Sequence, residues 1–224
     1  MIPISDQLPT RIKPVVNYFL IGLNILVFIF MWLAGPRQDA LVYQFALIPA
    51  NFLTNINAAN ITDIFTSMFM HGGVAHLVGN MLYLWIFGDN VEDRFGHFGY
   101  LIFYLFGGVA ASLTHVMTNP NSQIPTVGAS GAIAAVLGAY LVLYPHSRVA
   151  TFIPLGFFFR LTLLPASIVL GLWFIIQLFS GFVSLGGPDV GGVAFWAHIG
   201  GFVTGVLVAL LFGKKTRQID IVYW

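Results

Sequence analysis

A serine and a histidine lie in two different apolar segments of this chain. Ser130 occurs in the sequence Gly-Ala-Ser-Gly at the start of one segment, and His198 is followed by Ile-Gly-Gly near the start of another. Polar groups inside hydrocarbon are costly and rarely occur there without a role. A hydroxyl paired with an imidazole base is a nucleophile suited to hydrolysis. The two residues therefore suggest hydrolysis carried out within a membrane.

The composition is that of an integral membrane protein. Of the 224 residues, 58% are hydrophobic and only 8% are charged, whereas about a quarter of a soluble domain is charged. A net charge of +1 and the lack of a large Lys/Arg cluster give no indication of nucleic-acid binding. Because there are no cysteines, disulfides, thiolate nucleophiles and cysteine-based metal sites are excluded.

Six segments are apolar enough to cross a bilayer, which takes about 20 residues. They predict an all-α polytopic membrane protein, with six transmembrane helices bundled into a single domain over residues 1–224. The predicted spans are approximately 15–34, 72–88, 99–118, 126–144, 161–182 and 193–212. The first span lacks a small-residue cleavage site, so it is interpreted as a membrane helix and not as a signal peptide.

The distribution of cations predicts the orientation of these spans. With six spans both termini lie on one side, and of the nine Lys and Arg residues only Arg37 falls on the other side. The remaining cations are Arg11, Lys13, Arg94, Arg148, Arg160, Lys214, Lys215 and Arg217. Both termini are therefore expected in the cytoplasm, in a prokaryotic plasma membrane, with an organellar membrane as the alternative. The external loop 35–70 is expected to lie in the membrane interface, because it interleaves apolar and polar residues.

This orientation places several polar side chains at one depth. Helices 2, 4 and 6 all run from outside to inside, and at about 1.5 Å per residue their polar groups fall in the same outer slab of the bilayer. These groups are His71, His76, Asn80, Ser130 and His198. The pair Gly201 and Gly205 is a small-xxx-small face that lets helix 6 approach helix 4 closely.

Each residue also has an ordinary structural explanation. A serine in a membrane helix commonly bonds to its own backbone, and a lone histidine can serve packing or gating. No acid lies in the outer half of a membrane helix, so neither a Ser-His-Asp triad nor an aspartyl protease is predicted. The His-Glu-x-x-His metal motif is absent as well. The remaining catalytic hypothesis is a Ser-His dyad without metal or cofactor.

Two non-catalytic hypotheses compete with the dyad. The first is a membrane protein that binds transmembrane clients. The second is a small-molecule transporter, which is disfavoured because the sequence shows neither paired broken helices nor charges at the midplane.

The polar residues resemble the motifs of the rhomboid family of intramembrane serine proteases. The resemblance covers nearly the whole chain and rests on short motifs in helices 2, 4 and 6. The motifs are His71-x-x-x-x-His76-x-x-x-Asn80, Gly128-Ala129-Ser130-Gly131 and Ala197-His198-Ile199-Gly200-Gly201, with Gly88-x-x-x-Glu92 after helix 2.

The resemblance implies a role for each of these residues. Ser130 would be the nucleophile and His198 the general base, and the Ser130 N–H, His76 and Asn80 would form the oxyanion hole. Supporting positions would be His71, Gly128, Gly131 and Gly201. Glu92 is expected to be structural, paired with Arg94 or a neighbouring loop.

The resemblance also implies partners: transmembrane protein substrates and the lipid bilayer. Substrates would arrive laterally at a water-accessible outer cavity, with helix 5 and the loop before helix 6 as candidate gates. One departure is that Thr62-Asp63 stand where many members have Trp-Arg. A catalytically inactive relative that binds transmembrane clients is the alternative, and no oligomeric state is indicated.

Overall fold

The structure is a computed structural model that describes residues 1–155, 158–186 and 192–213. Within these ranges the chain is a mostly helical bundle, as predicted. The helices are α1 (Val15–Leu33), α2 (Gln38–Phe45), α3 (Pro49–Thr54), α4 (Ala58–Ser67), α5 (Val74–Thr118), α6 (Ser130–Leu143), α7 (Ala166–Ser184) and α8 (Phe195–Phe212), with a 3-10 turn at Gly35–Arg37. The strands are β1 (Ile2–Asp6), β2 (Arg148–Leu155) and β3 (Phe158–Pro165). The predicted cytoplasmic cations Lys214, Lys215 and Arg217, and part of the candidate gate before α8, lie outside the described residues.

Two predicted spans, 72–88 and 99–118, lie in the single element α5, which bends at Gly96. Gly96 has φ 71° and ψ 164° within an otherwise helical run, a conformation that glycine adopts at little cost. His76 near one end of α5 and Thr118 at the other line the same cavity. The two arms of α5 therefore fold back on each other. The helices α1, α5, α7 and α8 are each long and apolar enough to cross a membrane.

The central helix of the bundle is α6. The segment 131–140 is entirely buried. α6 begins at Ser130 instead of the predicted 126, because Thr126 pairs with the first external loop and Gly128 has φ 133°. Its 14 residues extend about 21 Å, whereas the hydrocarbon core is about 30 Å thick. A helix this short crosses the core only in part, so at least one of its ends lies below the membrane surface.

The first external loop packs onto the end of α5. Leu47, Phe52 and Ile64 are buried and form a small apolar cluster with Val116 of α5. The apolar residues of this loop therefore anchor it over the bundle, at the edge of the cavity described below.

A three-stranded antiparallel sheet, which the sequence patterns did not predict, joins the N-terminal segment to the α6–α7 connection. The strand order is β1-β2-β3, with Ile2 opposite Phe152 and Arg148 opposite Pro165. Because β3 includes 161–165, α7 begins at Ala166, later than the predicted start at 161. A short apolar run is compatible with either a strand or a helix. The pairing of β1 with β2 puts both segments on one side, as an even number of crossings requires.

Glu92 joins α5 to the start of α1. Its fully buried carboxylate accepts hydrogen bonds from the backbone N–H groups of Val16 (3.0 Å) and Asn17 (2.7 Å) and from His97 Nδ1 (2.5 Å). An anion at a helix N-terminus is stabilised by the unpaired N–H groups and the helix dipole. The carboxylate thus binds α1 and His97, where the expectation included Arg94.

The side chain of Asn17 extends these contacts. Its amide donates to the Leu84 carbonyl oxygen (3.0 Å) and accepts from the Tyr100 hydroxyl (2.9 Å). We call the group formed by Glu92, Asn17, His97 and Tyr100 the inner network, because it lies at the end of the bundle that is predicted to face the cytoplasm. A Cβ at Gly88 would overlap the Asn17 side chain. The Gly88-x-x-x-Glu92 motif therefore provides the space and the acceptor that hold α1 against α5.

Candidate active site

Ser130 and His198 meet at the end of the bundle that is predicted to face outward. Ser130 is the first residue of α6, and His198 lies in the first turn of α8. The distance from Ser130 Oγ to His198 Nε2 is 2.8 Å, within the range of a nucleophile and its base. Both residues border a cavity, and His198 is otherwise buried. The arrangement places a proton acceptor directly on the serine hydroxyl.

The close approach of α6 and α8 makes this contact possible. A Cβ at Gly201 would overlap the Gly131 carbonyl oxygen, and a Cβ at Gly205 would overlap that of Ala135. Small residues at a helix interface let the backbones come together in this way. Gly131 in turn packs on Ala111 of α5, where an added Cβ would lie 2.6 Å from the alanine Cβ.

A cavity of about 750 Å³ opens over the two residues. It is bordered by α5, by segment 119–127, by the start of α6, and by segment 192–196 leading into α8. Its polar side chains include His76, Asn80, His115, Thr118, Asn119, Ser130 and His198. Such a polar lining is suited to water, which hydrolysis within a membrane requires.

Three hydrogen-bond donors belong to residues that line this cavity. As the first residue of α6, Ser130 has a backbone N–H without an intrahelical acceptor. His76 covers Gly128, where an added Cβ would lie 2.8 Å from His76 Nε2. Asn80 is buried, and its Nδ2 has no acceptor among the described residues. His71, also buried, packs edge-on against His76 with ring centroids 5.1 Å apart. One cavity is thus lined by four of the predicted residues, His76, Asn80, Ser130 and His198. The predicted supporting residues His71, Gly128, Gly131 and Gly201 do not line it.

Gln177 of α7 is a site residue that the sequence reasoning missed. Its Oε1 lies 2.8 Å from His198 Nδ1, and the Trp173 ring centroid lies 5.7 Å from that of His198. The third member of a serine–histidine triad is usually a carboxylate, and a glutamine does not fit that pattern. The available signal was a glutamine in an apolar helix whose other polar residues are all serines, since polar groups there are rarely without a role.

Comparison with known proteins identifies the family. The Rhomboid domain matches residues 58–215, which include both Ser130 and His198. The chain is 29% identical to Rhomboid protease GluP of Bacillus subtilis (strain 168), over 90% of this chain and 35% of that protein. It is 31% identical to Rhomboid-like protein 11, chloroplastic, of Arabidopsis thaliana, over 66% of this chain and 51% of that one.

A third relative is Rhomboid protein 1, mitochondrial, of Saccharomyces cerevisiae, 29% identical over 61% of this chain and 38% of that protein. The chain belongs to the rhomboid family and is an integral membrane protein. It spans about a third to a half of the length of these relatives.

Proposed function

We propose that this protein is an intramembrane serine endopeptidase that cleaves transmembrane segments of membrane proteins near the outer face of the bilayer. The observation that supports this most strongly is the 2.8 Å contact between Ser130 Oγ and His198 Nε2 at the floor of a polar cavity. This contact favours catalysis over the structural explanation, in which Ser130 would bond to its own backbone and not to a buried imidazole.

The acylation step follows from this contact. Ser130 Oγ attacks the scissile carbonyl carbon while its proton passes to His198 Nε2. The negative charge develops on the carbonyl oxygen, where the Ser130 N–H, His76 and Asn80 donate hydrogen bonds. One such donor is worth about 2.7–4 kcal/mol in the transition state. His198 then returns the proton to the leaving amine, and the acyl group stays on Ser130 as an ester.

Water completes the reaction. A water molecule from the cavity attacks the ester carbonyl and gives a proton to His198 Nε2, and His198 protonates Ser130 Oγ as the carboxylic acid product leaves. The position of Ser130 at the end of the short helix α6 favours this step, because it places the ester in the cavity and away from lipid.

Substrate access is proposed to occur beside α7. The outward side of this helix carries bulky apolar groups, including Ile175 (60% exposed) and Phe179 (72% exposed). Its inward side carries Gln177 and Trp173, which both contact the imidazole of the proposed base, His198. Movement of α7 away from α8 would open a lateral path to the cavity.

The test is cleavage of a fluorogenic transmembrane peptide in liposomes, comparing wild type with Ser130→Ala and His198→Ala. We expect a loss of at least about 10⁴-fold in kcat for both variants, because nucleophile and base act as a unit. Ser167→Ala, a serine change on α7 away from the cavity, is the matched control. Full activity in the Ser130→Ala variant would refute the mechanism. If wild type neither cleaves peptides nor reacts with a fluorophosphonate, the client-binding alternative is favoured.

A further inference from the structure

Gln177 is held in a fixed orientation behind the base. Its side chain is 7% exposed, and its two amide atoms face different groups. Nε2 lies 3.4 Å from the Trp173 carbonyl oxygen, one turn earlier on α7, and Oε1 lies 2.8 Å from His198 Nδ1. A carbonyl oxygen can only accept a hydrogen bond, so it requires the NH₂ group of the amide on its side. Oε1 is therefore the atom that faces the imidazole, as an acceptor.

This orientation fixes the proton on the imidazole ring. Neutral histidine carries its hydrogen on one nitrogen only, and the bond made by that nitrogen selects the tautomer. With Nδ1–H donating to Gln177 Oε1, Nε2 is left bare. A bare Nε2 is the form that can accept the Ser130 hydroxyl proton.

We infer that Gln177 is a positioning residue that keeps His198 in the reactive tautomer and aims its Nε2 at Ser130. The inference rests on the proposed function and adds a third member, Ser130–His198–Gln177, to the predicted dyad. Gln177 occupies the place, beyond the base, that a carboxylate takes in a Ser-His-Asp triad.

A neutral amide suits this place in a membrane helix. Burial of an ionised carboxylate is far more costly than burial of a hydrogen-bonded amide. An amide gives less electrostatic stabilisation to the imidazolium formed during acylation. The Trp173 ring, with its centroid 5.7 Å from that of His198, lies within about 6 Å, the distance at which an aromatic face stabilises a cation.

The kinetic test compares two substitutions at this position. Gln177→Met keeps the length of the side chain and removes the strong acceptor, and we expect kcat to fall about tenfold with KM unchanged, the factor that one net hydrogen bond is worth. Gln177→Glu keeps an acceptor at the same place, and we expect its kcat to be closer to the wild-type value than the kcat of Gln177→Met. Thr204→Val is the matched control. Within the part of the chain that the structure describes, the Thr204 hydroxyl bonds only to the Gly200 carbonyl oxygen of its own helix (2.8 Å).

A spectroscopic test does not depend on activity. The ¹⁵N signals of His198 in liposomes, assigned by their loss in His198→Ala, should show protonated Nδ1 and bare Nε2 in wild type and a mixture of tautomers in Gln177→Met.

The inference would be overturned by wild-type His198 protonated on Nε2. It would equally be overturned by Gln177→Met with unchanged kcat and tautomer, or by Met and Glu variants that lose kcat equally. A wild-type protein that neither cleaves nor reacts with a fluorophosphonate, yet shows the Nδ1–H tautomer, would refute the proposed function and leave the positioning contact in place.

Discussion

The outer cavity, which Ser130 and His198 border, and the inner network around Glu92 both contain buried polar groups. The hydrogen bonding of these groups differs between the two regions. At the inner end, the Glu92 carboxylate accepts three hydrogen bonds and the Asn17 amide both donates and accepts. At the outer end, Asn80 Nδ2 is buried without an acceptor among the described residues. Among the described residues, Ser130 Oγ bonds only to His198, on another helix.

Buried polar groups therefore have different consequences in the two regions. A fully satisfied network fixes the relative position of helices, because removal of any member leaves a partner unpaired. A donor kept without a partner costs stability and is available to charge that appears only during a reaction. The inner network should therefore respond to mutation through stability, and the outer cavity through activity.

A disulfide that joins α7 to α8 beside the outer cavity should have the largest effect on activity. The chain has no cysteines, and a Cβ at Gly181 of α7 would lie 3.5 Å from Phe195 Cβ of α8, within disulfide range. With Gly181→Cys and Phe195→Cys together, oxidation should abolish cleavage of transmembrane substrates by holding α7 in place. Labelling of Ser130 by a small fluorophosphonate should persist. Reduction of the same sample is the control, and equal cleavage before and after reduction would refute lateral access beside α7.

Loss of the unpaired donor should be next in size. Asn80→Ala should lower kcat about 100-fold, as expected for one oxyanion donor, with the melting temperature unchanged or slightly raised. Asn24→Ala removes a buried membrane asparagine that is not among the residues lining the cavity and should leave kcat unchanged. Comparable kcat values in the two variants would show that Asn80 does not contribute to the oxyanion hole.

The inner network should show the reverse pattern. Glu92→Gln should lower the free energy of unfolding by about 2 kcal/mol, because bonds to a buried charged acceptor are lost. The kcat of the folded fraction should not change. Asp93→Asn is the matched control and should cost less. An asparagine keeps one oxygen for the Arg11 and Ile12 backbone N–H groups, which both donate to Oδ1 (3.1 Å), and loses only the ion pair with the Arg11 side chain, which is 62% exposed. A kcat loss without a stability loss in Glu92→Gln would contradict the division between the two regions.

A smaller effect is expected at the edge of the inner region. Burial raises the pKa of Asp6 to about 6, partly offset by the hydrogen bond from Tyr140. A raised carboxyl pKa in the folded state means that stability falls as pH rises from about 4 to about 6. Asp6→Asn should remove this slope and stabilise the protein at pH 7.5 by about 1 kcal/mol, after allowance for solvent screening. Thermal unfolding at pH 4.5 and 7.5 tests this, and an equal slope in both proteins would contradict it.

Much of the fold and of the candidate site was predictable, for identifiable reasons. Hydropathy predicts which segments enter a membrane, and consecutive spans alternate in direction, so helices 2, 4 and 6 run the same way. This alternation predicts one depth for Ser130, His198, His76 and Asn80. The β strands were not predicted, because the apolar residues of β3 run directly into α7 and read as one span.

The sequence by itself determined the membrane class, the likeness to rhomboid motifs and the candidate nucleophile and base, since these follow from residue type, spacing and depth. Only the tertiary structure decided the start of α6 at Ser130, the fold-back of α5 at Gly96 and the contact of Gln177 with His198. These depend on how helices far apart in sequence pack against one another. A lone glutamine has no periodic pattern that reveals its partner, and its contact with His198 exists only once α7 lies against α8.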